Sequence, residues 1–148
     1  MPNINPAAHY QEQVINTATP GMVTVMLFEE AAKNINIAIR AVNARNIQES
    51  HNAIMKAQNI YSALNGFLSD QFEVSKDLSK LYEYLAGRLA EANAKKDVEI
   101  LKEVLEFTID FKDTWKQAEK NASLEMKQRN ANNPNAQTVQ RSANTGGE

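Results

Sequence analysis

The chain has 148 residues, with 16 Lys and Arg against 18 Asp and Glu, a net charge of −2, two His and no Cys. That length fits one domain with tails, and a chain of this size buries roughly two thirds of its unfolded surface, enough for a core without staples. Near-neutral charge argues against a nucleic-acid partner, which calls for a basic face, and the missing cysteines remove disulfides, thiolate metal sites and thiol catalysis together.

The first residues, MPNINPAAHYQEQ, carry no basic region and no apolar run, so no signal peptide is expected. No run approaches the ~20 apolar residues that span a bilayer, so the expectation is a soluble, cytoplasmic protein with no membrane insertion. The prolines are Pro2, Pro6, Pro20 and Pro134, which leaves the stretch from Gly21 to Asn133 free of the strongest helix breaker. Ala, Leu, Glu, Lys and Gln abound there, and apolar residues recur at spacings of three and four, a helical period with no sustained alternation for strands.

The first helix is expected to begin at Thr19-Pro20, with Thr19 as cap and Pro20 at the first helical position. Its stripe is Val23, Leu27, Ala31, Ile35, Ala38 and Val42, and it should end near Arg45. Asn46 then caps a second helix with the stripe Ile54, Ala57, Tyr61, Leu64 and Leu68. Ser69 to Phe72 reads as a break. A third helix carries Val74, Leu78, Leu81, Leu85, Leu89 and Ala92 and ends in a turn at Asn93 to Lys96. Asp97 caps a fourth with Leu101, Val104, Thr108, Phe111 and Trp115. Helices joined by short connections favour antiparallel neighbours, so the expected fold is all-α, an antiparallel up-down four-helix bundle. The expected division is an N-terminal cap or lid over 1–18, a bundle over 19–120 and a disordered tail over 121–148, where Asn, Gln, Ser and Gly leave little to bury.

Catalytic patterns are absent. Neither His9 nor His51 follows a Glu by three positions, as a di-metal bundle site requires, and there is no phosphate loop, nucleophile elbow or HExxH. No cofactor and no metal are expected. His51 suggests an alternative, a phosphotransfer bundle, but Ile54 stands where such bundles carry Lys, and the Lys is Lys56. An oligomerisation module is a third reading.

The informative signal is apolar surplus. Met22, Val23, Val25, Met26, Leu27 and Phe28 point in nearly every direction, and a helix apolar all round should be covered all round. Either residues 1–16 fold back over them through Tyr10, Val14 and Ile15, or the surface serves another chain. Tyr82 and Tyr84 flank the third stripe, and Met55, Ile100, Phe107 and Ile109 lie off theirs. Several such residues on neighbouring helices can form a patch.

The stretch Thr17-Ala18-Thr19-Pro20 followed by Met26-Leu27-Phe28-Glu29-Glu30-Ala31 resembles the opening of flagellar secretion chaperones of the FliS type. The series continues through Lys56-Ala57-Gln58-Asn59-Ile60, Leu64, Leu68-Ser69-Asp70, Leu78, Leu81-Tyr82, Tyr84, Arg88-Leu89, Ala92-Asn93 and Trp115, with Tyr10 where the family places a tyrosine. The resemblance covers about residues 10–118. Phe28 and Glu29 stand where the family has tyrosine and aspartate, Gly21 and Met22 also depart, and the loop after Leu68 lacks the usual glycines. The resemblance implies a bundle that is not an enzyme. It would bind the C-terminal region of flagellin in the cytoplasm, prevent early polymerisation and deliver the subunit to the flagellar export gate. The partner-binding residues expected on this reading are Tyr10, Val14, Met22, Val25, Met26, Tyr61, Leu68, Tyr82, Tyr84 and Phe107.

Overall fold

The computed structural model describes residues 19–68 and 73–132. Tyr10, Val14 and the expected lid, the break at Ser69 to Phe72, and residues 133–148 lie outside the described residues. Four helices follow one another: α1 (Pro20–Asn43), α2 (Ile47–Gly66), α3 (Glu73–Lys95) and α4 (Val98–Asn132). They form the antiparallel up-down bundle that the periodicity implies.

The helix starts are set locally. Thr19 Oγ1 accepts from the Met22 N–H at 3.2 Å, with Pro20 at the first position where its missing donor costs nothing. Asn46 Oδ1 accepts from the Glu49 N–H at 3.1 Å while its amide donates to the Glu49 carboxylate at 3.0 Å. Asp97 Oδ1 accepts from the N–H groups of Glu99 and Ile100. The stops are equally local. Asn46 N–H reaches back to the Ala41 carbonyl and Arg45 N–H to Val42, the double closure of a Schellman turn, and Asp97 N–H to Ala92 repeats its longer bond. Both turns place a non-glycine residue in the left-handed region, Arg45 at φ 58° and Lys96 at φ 51°.

One ring from each helix meets at a single level of the core. Phe28 of α1 stacks on Phe111 of α4 with centroids 5.3 Å apart, and it meets Tyr61 of α2 and Tyr82 of α3 edge-on at 6.4 and 6.1 Å. Tyr61 and Tyr82 lie 5.9 Å apart. These pairings also show the topology. Tyr61 in the last third of α2 pairs with Tyr82 near the middle of α3, whereas His51 near the start of α2 bonds Asn93 near the end of α3, so those helices run in opposite directions. Below the rings, Ile35, Ile54, Ala57, Leu85, Leu89, Leu101 and Val104 are fully buried and fill the bundle toward its two short turns.

Two features differ from expectation. At the start of α1 the buried residues are Val25 and Phe28, not Val23 and Leu27, which are half-buried. The arc turns so that Phe28 joins the ring cluster, and Phe28 is therefore core, not surplus. Ile100 is likewise buried with the fourth stripe. The second feature is the tail. Residues 121–132 are helix, not disordered chain, because α4 continues to Asn132. Ala118, Glu119, Lys120, Ala122 and Leu124 to Lys127 are strong helix formers, and the first breaker is Pro134. Residues 116–132 form a unit of their own, exposed almost throughout, with Leu124 and Met126 facing solvent. Among the described residues no helix is long and apolar enough to cross a membrane.

Phe28→Ala should cost about 3–5 kcal/mol in urea unfolding, since it empties the centre of the cluster. Conversely, Arg45→Gly should raise stability by about 1 kcal/mol, because glycine occupies the left-handed region without the Cβ clash.

Candidate functional site

With the core closed, exposed apolar side chains remain on every helix, several of them on or beside α3. On the side facing α4, Tyr84 is 50% exposed, and its hydroxyl donates to Glu103 Oε1 at 2.8 Å. Arg88 grips the same carboxylate with two bonds, Nε to Oε1 at 3.3 Å and Nη2 to Oε2 at 3.0 Å. Its third donor reaches Glu91 at 2.6 Å, which Lys95 bonds at 2.9 Å. This chain of charges fixes the Tyr84 hydroxyl and leaves the ring outward as an anchor. Phe107, 38% exposed, lies one turn beyond Glu103 on the same face of α4, the side of the bundle on which Tyr84 meets Glu103.

The titration of these groups follows from their contacts. The Arg88 bonds, with the Tyr84 hydroxyl, hold the Glu103 carboxyl below the usual carboxylate range, and Lys95 does the same for Glu91. Accepting its proton bond from Tyr84, Glu103 pushes the Tyr84 hydroxyl upward.

The side of α3 facing α2 is different. His51, Met55 and Gln58 of α2 face Ala90, Asn93 and Ala94 of α3 and Lys96 of the turn across a shallow groove. Gly87 shares the face of Ala90 and Ala94 by helical spacing, and a Cβ placed on it would meet nothing within 4 Å. A third apolar area lies at the end of the bundle remote from both short turns. Here Met22 in the first turn of α1, 49% exposed, shares an end with Phe67 after α2 and Val74 in the first turn of α3, both exposed. Met26 and Leu68 are half-buried there.

Three expected partner-binding residues belong to the interior instead. Val25 is 8% exposed, and Tyr61 and Tyr82 are 1% exposed. The Thr108 hydroxyl donates to the Val104 carbonyl at 2.7 Å, so the Tyr61 hydroxyl donates to Thr108 Oγ1 at 2.5 Å. The Trp115 indole N–H bonds the Tyr82 hydroxyl. Burial pushes both tyrosines upward in pKa. With hydroxyls satisfied inside the protein, neither ring is needed at the surface. Met55, off its stripe in sequence, and the small residues Gly87, Ala90 and Ala94 were not among the expected site residues. Their spacing of three and four was the available signal. Among the described residues no group of three or more His, Asp or Glu could hold a metal ion.

A family model described as "Flagellar protein FliS" matches residues 3–122. The chain belongs to the FliS family. A flagellar secretion chaperone FliS of Bacillus subtilis strain 168 is 40% identical over 114 residues, covering 77% of this chain and 86% of that relative. One of Vibrio cholerae is 28% identical over 105 residues, covering 70% and 77% respectively. A crystal structure of a bacterial flagellar chaperone superposes with a TM-score of 0.65 at 16% identity, over 78% of this chain and 99% of that one, which shows the shared fold. In this FliS-family bundle, the exposed apolar residues thus lie on the scaffold of a chaperone family.

The lowered carboxylates make a signed prediction. Glu91 and Glu103 titrate below their unfolded value of 4.5, so their contribution is present above that pH and is lost as pH falls through their folded values. Acid unfolding curves should therefore steepen below about pH 4.5, and Glu103→Gln should flatten that dependence while leaving neutral-pH unfolding two-state.

Proposed function

We propose that this chain is a cytoplasmic export chaperone for flagellin, holding the disordered C-terminal segment until delivery to the flagellar export gate and so preventing premature polymerisation. The observation that carries the reading is the surplus itself. A four-helix core is complete, yet Met22, Met55, Tyr84 and Phe107 remain exposed, Met55 in the wall of a groove, in a FliS-family chain. Grooves between helices take amphipathic helical segments by anchors at i, i+3 and i+4, which matches a client lacking partners before assembly. An extended client wrapped on this surface would bury on the order of 2,000 Å². Ordering it offsets about 2–5 kcal/mol, which keeps the complex reversible. The reading is of a protein that holds and does not convert. Tyr10 and Val14 enter it on sequence alone, as a lid displaced by flagellin; deleting residues 1–16 should speed flagellin binding, and unchanged exchange rates would exclude the lid.

Calorimetric titration with the last few tens of flagellin residues tests the main reading, and no binding at tens of micromolar would overturn it. Tyr84→Ala and Phe107→Ala should each weaken binding by about 1–2 kcal/mol, as aromatic anchors do. Met26→Glu should weaken it as well. Each of these three should melt close to the parent. By contrast, Leu85→Ala should cost about 2–5 kcal/mol of stability, being fully buried. For the phosphotransfer alternative at His51, labelling by a phosphodonor that His51→Gln abolishes would be the supporting result.

A further inference from the structure

The two sides of α3 differ in their charged groups. Toward α4 the carboxylates of Glu91 and Glu103 are paired with Arg88 and Lys95. Toward α2 the groove lining is His51, Met55, Gln58, Ala90, Asn93, Ala94 and Lys96, which includes a cation and no carboxylate. The polar groups there are ordered. Lys96 Nζ donates to Asn93 Oδ1, which turns the Asn93 amide N–H toward His51 Nδ1 at 3.0 Å. Because Nδ1 accepts, the ring proton of His51 sits on Nε2. An ammonium has three donors, so Lys96 keeps two after bonding Asn93. Asn93 and Lys96 lie where α3 turns into α4, so these donors stand at the end of the groove and at the edge of the bundle.

We propose that the α2–α3 groove seats the last helical turns of the client, with the client's own C-terminal carboxylate at the His51, Asn93 and Lys96 end. The proposal rests on the flagellin reading above and gives it a direction. A helix laid in the groove presents unpaired carbonyls and the negative end of its dipole at its C-terminus, and a chain end adds a full negative charge. Donors and a cation at one end, with no carboxylate in the groove lining, fit that end and oppose the reverse orientation. Small side chains at Ala90 and Ala94, with Gly87 on the same face, let a client backbone approach α3 closely, while Met55 forms the flexible opposite wall. A helix that continued past Lys96 would leave the bundle, so the groove favours a segment that stops there.

The test compares three forms of the same flagellin C-terminal segment, as free acid, as C-terminal amide and with two glycines added, each titrated against the full chain. The amide and the extended form should bind about two- to fivefold more weakly than the free acid, the size of an exposed charge pair, and the gap should shrink in high salt. Lys96→Gln should abolish the difference between acid and amide. The chain has no cysteine, so Ala94→Cys and Tyr84→Cys provide single attachment points. A cysteine at the client's last residue should cross-link to position 94 and not to position 84. Equal binding of acid and amide, or cross-linking at 84 in preference to 94, overturns the proposal with the flagellin reading intact. Failure of all three forms to bind overturns both.

Discussion

Phe28, Tyr61, Tyr82 and Phe111 come one from each helix and meet at one level of the bundle. Their edge-on and stacked contacts bring large apolar area to the centre and add the quadrupole preference of aromatic pairs. The two tyrosines make the cluster selective as well as cohesive. Each carries a hydroxyl that would cost about 1–3 kcal/mol if buried without a partner. Thr108 on α4 meets one and Trp115, also on α4, meets the other. A rotation of α4, or a slip by one turn, would strand both hydroxyls at once. The rings therefore fix the register of all four helices, and the outward faces are fixed with them.

The outward faces of α3 follow from that constraint. With Tyr82, Leu85 and Leu89 turned inward, Tyr84 and Arg88 are turned toward α4, and Ala90 and Asn93 toward α2. The first of these faces is polar but rigid, since Arg88 holds Glu103 and Glu103 holds the Tyr84 hydroxyl. Individual ion pairs at such a surface contribute little to stability. Here their effect is geometric: they hold an exposed ring in one place.

Much of this was legible in the sequence. Thr19, Asn46 and Asp97 were recognisable as caps because the side chain that accepts the bond sits within three residues of the donor. The second stripe, Ile54, Ala57, Tyr61 and Leu64, is buried as its period required. The site was less legible. Tyr61 and Tyr82 stand among the expected partner-binding residues although Tyr61 also lies in the second stripe, because tyrosine suits both a core edge and an interface. What decides between them is a hydroxyl partner, and Thr108 lies 47 residues from Tyr61. No local pattern carries that information. The crowded apolar start of α1 likewise gave no unique arc until Phe28 found rings on three other helices. The helix over residues 121–132 was hidden by the surrounding asparagines, which dominate the composition but not the local propensity.

The two tight turns bear on how the chain assembles. α1 with α2, and α3 with α4, are joined by only a few residues, so those contacts close small loops at little entropic cost. The stacked pair Phe28 and Phe111 is of another kind, since it joins the first helix to the last and encloses nearly the whole bundle sequence. Its loop is among the longest the core must close, and its reward arrives only when the others are in place. Translation delivers Phe111 last of the four rings. The aromatic cluster therefore cannot close until α4 has been made, and α4 supplies its final ring.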